Sequence, residues 1–327
     1  MKYDIEADWH LLDTCNYSCS YCFFGPEVLK SKLRKYAAPS DWQSAFDVTG
    51  NIWLLHMTGG EPSIYSDFAE LCEALTARHY ISLNSNLTHR SLVAFSQRID
   101  PSRVSFINAG LHLEERENRA GNETFLRHAE LLRGEGFPIV VSLVATPTAL
   151  DRFEEAIALL QPIGLFPVPK LFRGSIGQRA YPKDYSEAQK SRFRAFSQLA
   201  RDHYGWQLAR MSERPSIDML NDDAFLEGLP TYTGSLCEAG ARFVHIKPNG
   251  DVFGCAGGPW QGNILSNTFV RQSGLAPCNS SHCYYFCNKY SRLGQSMSAN
   301  DPKRTLGNDG TPYSMVSMSL PSGTKVL

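Results

Sequence analysis

The chain reads as an α/β protein on a parallel sheet, followed by a small Cys-rich α+β domain. Three observations carry this. Apolar runs alternate with helical patterns six times across the first two thirds, an order that gives parallel strands joined by right-handed crossovers. The run Ile52-Trp53-Leu54-Leu55-His56-Met57-Thr58 is almost wholly apolar, as suits a strand buried on both faces. Eight of the nine cysteines fall in two clusters, three near the start and five between residues 237 and 287.

Taken in order, a strand over residues 3–14 delivers its end to Cys15, and a polar helical stretch covers 27–46. The strand at 52–58 ends on Gly59-Gly60. Helix 67–78 leads to a strand at 80–84, helix 89–98 to a strand at 103–109, and helix 122–135 to a strand at 139–144. Helix 150–161, a strand at 164–171 and helix 185–204 close the series. A doubly wound sheet or an open barrel satisfies this pattern. In barrels the site lies at the C-terminal strand ends, and both Cys15–Cys22 and Gly59-Gly60-Glu61-Pro62 directly follow strand ends.

Composition excludes several classes. With 32 basic and 33 acidic residues, a formal charge of -1 and 43% hydrophobic content, nothing points to nucleic acid or a membrane surface. No apolar run approaches the ~20 residues that span a bilayer, and Met1 to His10 lacks a signal core. A cytoplasmic protein is expected, where thiols stay reduced. The cysteine clusters then favour metal over disulfides. Only Cys72, in an apolar helical pattern, reads as a small buried hydrophobe.

Cys15, Cys19 and Cys22 have the spacing C-x3-C-x2-C. Three thiolates on one loop can hold three corners of a [4Fe–4S] cluster, leaving the fourth iron open; they could instead hold zinc with a His or a distant Cys. With Tyr21 before the third Cys, the stretch resembles the radical S-adenosylmethionine (radical SAM) enzymes. The resemblance implies that the open iron chelates SAM, which is cleaved to methionine and a hydrogen-abstracting 5′-deoxyadenosyl radical. It also decides for a partial (β/α)6 TIM-like barrel over residues 1–205. Thr58-Gly59-Gly60-Glu61-Pro62 looks like the same family's Gly-Gly-Glu motif, which holds the methionyl ammonium of SAM. A carboxylate suits that role, and the glycines admit a close backbone approach. Asn84-Ser85-Asn86-Leu87 looks like the family's turn after the third strand. The implied SAM contacts are therefore Tyr21, Gly59, Gly60, Glu61, Ser85 and Asn86. Asn108 to His112 follows the fourth strand, where the family places a ribose-binding side chain; His112 reads equally as a structural histidine. Lys170 and Arg173 read as solvated loop cations rather than anion binders.

Residues 206–233 read as a linker and 234–290 as the Cys-rich domain. Within it, 243–255 has the turn chemistry of a β-hairpin around Pro248-Asn249-Gly250-Asp251. Cys237 precedes this hairpin, Cys255 ends it, and Cys278, Cys283 and Cys287 follow. The arrangement resembles the SPASM and truncated twitch domains of radical SAM enzymes. It implies one auxiliary [4Fe–4S] cluster, with Cys237, Cys255 and Cys287 as ligands and Cys283 or Cys278 as the fourth. A four-cysteine zinc knuckle fits the spacing too. The tail 291–327, rich in Ser, Gly and Pro, is expected to be partly disordered.

The resemblance gives the first step and leaves the outcome open. The main expectation is oxidation or epimerisation of a small molecule such as a sugar or cyclitol, with the auxiliary cluster as electron acceptor, or Cys278 or Cys283 as hydrogen donor. The alternative is maturation of a ribosomal peptide by a thioether or carbon–carbon cross-link. The barrel begins within a few residues of Met1, without a leader-binding domain ahead of it, and that weighs against the peptide. A non-enzymatic zinc scaffold would leave Gly59-Gly60-Glu61 unexplained. A flavodoxin or ferredoxin electron donor is implied; no nucleic-acid or membrane partner is expected.

Overall fold

The computed structural model describes residues 1–32, 34–119, 121–211, 220, 222–228, 230–281, 283 and 288–292. Six parallel strands form the barrel wall: β1 (Ile5–Leu12), β2 (Trp53–Gly59), β3 (Tyr80–Ser85), β4 (Val104–Gly110), β5 (Ile139–Val144) and β6 (Pro167–Lys170), each paired with the next. The helices in chain order are α1 (Pro26–Leu29), α2 (Pro39–Asp47), α3 (Phe68–Thr76), α4 (Ser91–Arg98), α5 (Leu113–Asn118), α6 (Asn122–Gly134), α7 (Pro147–Asp151), α8 (Phe153–Leu160) and α9 (Glu187–Met211).

Strand alternation separates two faces. On β1, Ile5, Ala7, Trp9 and Leu11 are buried, and Trp9 packs at 4.7 Å from Trp42 and 5.3 Å from Phe46 of α2. The alternate residues Glu6, Asp8 and His10 line the other face with His56 of β2, Ser82 and Asn84 of β3, and Asn108 of β4. The helix-facing side is therefore apolar and the inner wall polar. Burial of the first stabilises the fold at ~25 cal/mol per Å². The second is what a site needs.

Some expected elements differ. The helix over 27–46 is two pieces, because Pro39 opens α2 and holds Ala38 extended at φ −73°, ψ 160°, as a residue before proline prefers. The helix over 150–161 is broken at Arg152, whose φ of −108° is not helical. The last helix runs on to Met211, and α5 was not foreseen. Lys170 is also not a solvated cation: its Nζ lies 3.1 Å from Oδ2 of buried Asp222, which also accepts from the Leu171 amide.

The Cys-rich segment continues the same sheet. Between the two lie a short hairpin of β7 (Gly174–Ile176) and β8 (Arg179–Tyr181), then β9 (Leu236–Cys237). The expected hairpin forms as β10 (Phe243–Ile246) and β11 (Asp251–Phe253), and β12 (Trp260–Asn263) pairs with β11. β10 lies parallel to β1, with Glu6 opposite Phe243 and Asp8 opposite His245. Nine strands thus run in one sheet from β12 to β6. Among the described residues, no helix is long and apolar enough to cross a membrane.

Candidate active site

The thiol loop is fastened where β1 and β2 end. The Gly60 amide donates to Leu12 O at 2.7 Å, the Glu61 amide to Thr14 O at 3.0 Å, and the Cys15 amide to Leu29 O at 2.9 Å. A Cβ on Gly60 would sit 2.0 Å from Thr14 O, and Gly59, at φ +113°, would meet Leu12 O at 2.2 Å. The glycine pair thus lets β2 close against the segment that delivers Cys15, a structural reason for it that stands beside the SAM contact expected from the motif.

Glu61 is 1% exposed and ties β2 to β3. Its Oε1 accepts from Ser63 N at 3.0 Å, Ser63 Oγ at 2.6 Å and Ser85 Oγ at 2.7 Å, and its Oε2 from Asn86 N at 2.6 Å. A carboxylate offers about four lone-pair sites, so Oε2 is the oxygen with capacity left. Asn86 reaches back to the thiol loop, its Nδ2 donating to Asn16 Oδ1 at 2.8 Å. Asn16 Nδ2 in turn donates to Thr88 Oγ1 at 2.7 Å. Glu61, Ser85 and Asn86 therefore sit in one network with the loop.

His112 joins the loop from the opposite side. Its Nδ1 lies 2.7 Å from Tyr21 Oη and 3.4 Å from Cys19 Sγ. Enclosure, then the neighbouring Arg116, push its pKa down to about 3, so it is neutral at pH 7. Gly110 has no Cβ to strike the His112 ring, which would lie 2.5 Å away. Arg116, fully buried, donates from Nη2 to Asn86 O at 2.5 Å and Gly110 O at 2.8 Å. Its guanidinium lies 3.9 Å from the Phe125 ring centre and 5.7 Å from that of Tyr17. Burial draws its pKa down to about 10, leaving it a cation. No pattern in the chain announces this: within Glu114-Glu115-Arg116-Glu117 it reads as a surface charge.

The donor set suits an iron–sulfur cluster. Burial pushes the Cys15 and Cys19 thiols up to about 12, so the surrounding chain alone does not hold thiolates, whereas a bound metal centre deprotonates its thiols. The Tyr17 amide points at Cys15 Sγ from 3.3 Å, the kind of N–H···S contact that tunes such clusters.

In the second cluster, Cys237, Cys255, Cys278 and Cys283 pack together with Phe243, Ala239 and Tyr290. Short strands β13 (Ala276–Pro277) and β14 (Ser291–Arg292) flank β9 and its Cys237. Arg173, expected to be solvated, donates to Cys283 O at 3.2 Å and lies over Phe225, pinning the segment to the barrel end. Cys287 and residues 293–327 lie outside the described residues.

A partial barrel with three thiols after its first strand and a Gly-Gly-Glu turn after its second is a scaffold for an open-iron cluster. Residues 9–160 match the model of the Radical SAM superfamily, a family whose cofactors are a [4Fe–4S] cluster and SAM. The chain is 26% identical over 285 residues to mycofactocin maturase MftC of Mycolicibacterium smegmatis, covering 79% of this chain and 67% of that protein. Its fold is similar to native anSMEcpe with bound AdoMet, with a TM-score of 0.51, 15% identity and 81% and 79% of the two chains covered. It is also similar to Streptococcus suis SuiB bound to precursor peptide SuiA, with a TM-score of 0.53 and 14% identity; 83% of this chain matches 65% of that one.

Proposed function

We propose that this protein is a radical SAM maturase that abstracts hydrogen from a peptide. The observation that carries the reading is the similarity to a maturase across both the barrel and the Cys-rich segment. It favours the peptide over the sugar or cyclitol expected first.

In this reading Cys15, Cys19 and Cys22 hold the [4Fe–4S] cluster. Bound there, the cluster supplies the open iron that chelates SAM and the electron that cleaves it. The rest falls to the chain. Glu61, fixed by Ser63, Ser85 and Asn86, keeps capacity on Oε2 for the methionyl ammonium, a charge-assisted contact. The glycine pair sets the depth of the loop. Neutral His112 holds Tyr21, and through it the loop, without adding charge beside the thiolates. Cys237, Cys255 and Cys287, with Cys283 or Cys278 as the fourth ligand, hold a second cluster, and a flavodoxin or ferredoxin supplies electrons.

The test is anaerobic incubation of reconstituted protein with SAM, dithionite and the short peptides encoded beside its gene. A peptide mass change matching 5′-deoxyadenosine formation mole for mole is expected. If 5′-deoxyadenosine forms while every peptide stays unchanged, and a sugar or cyclitol is consumed instead, the peptide assignment is wrong.

A further inference from the structure

On the inner wall, where β10 joins β1, three side chains converge. Asp8 and His10 lie two residues apart on β1 and so share a face, and the strand register places His245 directly beside Asp8. His245 Nδ1 is 3.1 Å from Asp8 Oδ2, and His10 Nε2 is 3.6 Å from the same oxygen. The two imidazole rings stand 4.5 Å apart at 88°. All three ligand atoms lie within 4.8 Å of one another.

A hydrogen-bonded pair alone does not account for this arrangement. Both histidines address one carboxylate oxygen, while Oδ1 of Asp8, a residue 8% exposed, is buried with no hydrogen-bond partner. A buried carboxylate oxygen without a partner is costly. Nearby, Glu6 is occupied by His56 and Lys289, so those groups do not serve Asp8. Separations of 3.1 and 3.6 Å are close to the edges of a coordination tetrahedron with ~2.1 Å bonds to nitrogen and oxygen.

We propose that Asp8, His10 and His245 form a binding site for a first-row divalent metal ion of the zinc class, separate from both cysteine clusters. Two imidazoles and one carboxylate are a ligand set suited to such ions. Three protein ligands leave a fourth position for water or another oxygen ligand, as in catalytic rather than structural zinc sites. Burial draws His10 below the ordinary imidazole range, which keeps its lone pair available. The site lies beside the thiol loop: His10 packs edge-on against Phe24, 5.5 Å between ring centres. It spans the strand that carries that loop and the hairpin of the Cys-rich segment, so metal binding would brace the two together.

The test uses the cluster-loaded protein, so that the cysteines are already occupied. It is equilibrated with zinc chloride and desalted, and zinc and iron are counted by mass spectrometry. Zinc K-edge absorption then reads the ligands. About one zinc per chain with a nitrogen/oxygen shell near 2.0–2.1 Å, and no sulfur at 2.3 Å, is expected. Asp8→Asn and His245→Gln should each weaken zinc binding at least about tenfold, the scale of losing one ligand or its support, with iron unchanged. His10→Gln, whose site is 20% exposed and so less enclosed than the other two, gives the same reading should a buried variant misfold. The proposal is overturned if the loaded wild type retains no zinc, if its zinc has a sulfur shell, or if His10→Gln binds zinc as wild type does.

Discussion

Nδ1 of His112 lies 2.7 Å from the Tyr21 hydroxyl, and this contact fastens the tip of the thiol loop to the end of β4. Tyr21 stands between two metal-ligating candidates in sequence, so whatever fixes its ring fixes Cys19 and Cys22. His112→Phe keeps the packing and removes the acceptor. It should lower stability by ~1–2 kcal/mol, the cost of stranding a hydroxyl, and speed iron release to a chelator several-fold. His112→Gln, which retains an acceptor, should recover part of both. Equal release rates for wild type and His112→Phe would show that the contact is not what holds the loop.

Gly60→Ala tests the glycine pair apart from SAM. The new methyl would fall 2.0 Å from a backbone oxygen of the segment leading to Cys15, and backbone cannot step aside cheaply. The expected result is a barrel with unchanged far-ultraviolet circular dichroism that reconstitutes with less than half the loop iron. Gly134→Ala, with no atom within 4 Å of the added carbon, serves as control and should match wild type. Loss of SAM affinity with full iron content would assign Gly60 to cofactor contact alone.

The six-strand barrel and the three-thiol loop were legible because both are local. Strands show as apolar runs, and the loop spans eight residues. What escaped depends on partners far apart in the chain. The pairing of β10 with β1 joins residues 8 and 245, and no periodicity announces it. Arg116 escaped because its neighbours are Glu115 and Glu117, an exposed pattern, whereas its own side chain turns inward under α5. Lys170 escaped likewise, since its ion-pair partner is Asp222. Ser85 and Asn86 were placed by the motif, but their purpose in gripping Glu61 needed coordinates.

Arg116→Met removes the buried cation and leaves Asn86 O and Gly110 O without their donor. Each buried carbonyl left without its donor costs ~1–3 kcal/mol, so the variant should melt at least about 3 °C lower in its metal-free form. Arg116→Lys should not rescue it, because a compact ammonium does not reproduce the planar guanidinium that stacks on the Phe125 ring while its Nη2 reaches both carbonyls. Retention of the wild-type melting temperature by Arg116→Met would mean that those carbonyls find other donors.

Far from the site, His79 sets a pH dependence. Its side chain is fully buried, Nδ1 accepts from the Trp53 amide at 3.4 Å, and Nε2 is 3.3 Å from Asp47 Oδ1. Burial lowers its pKa to about 4, Asp47 opposing and Arg78 adding. The unfolded chain takes up this proton near pH 6.5 and the folded chain only near 4, so between those values the unfolded state binds more protons. Stability is therefore complete above pH 6.5 and falls as pH drops toward 4, by ~2 kcal/mol at pH 5 from this residue alone. His79→Gln keeps an acceptor for Trp53 and does not titrate. Urea unfolding of the metal-free chain at pH 7.5 and pH 5 should show a smaller loss for the variant by about that amount. Parallel losses in the two proteins would mean that the folded state admits the proton at His79 as readily as the unfolded one.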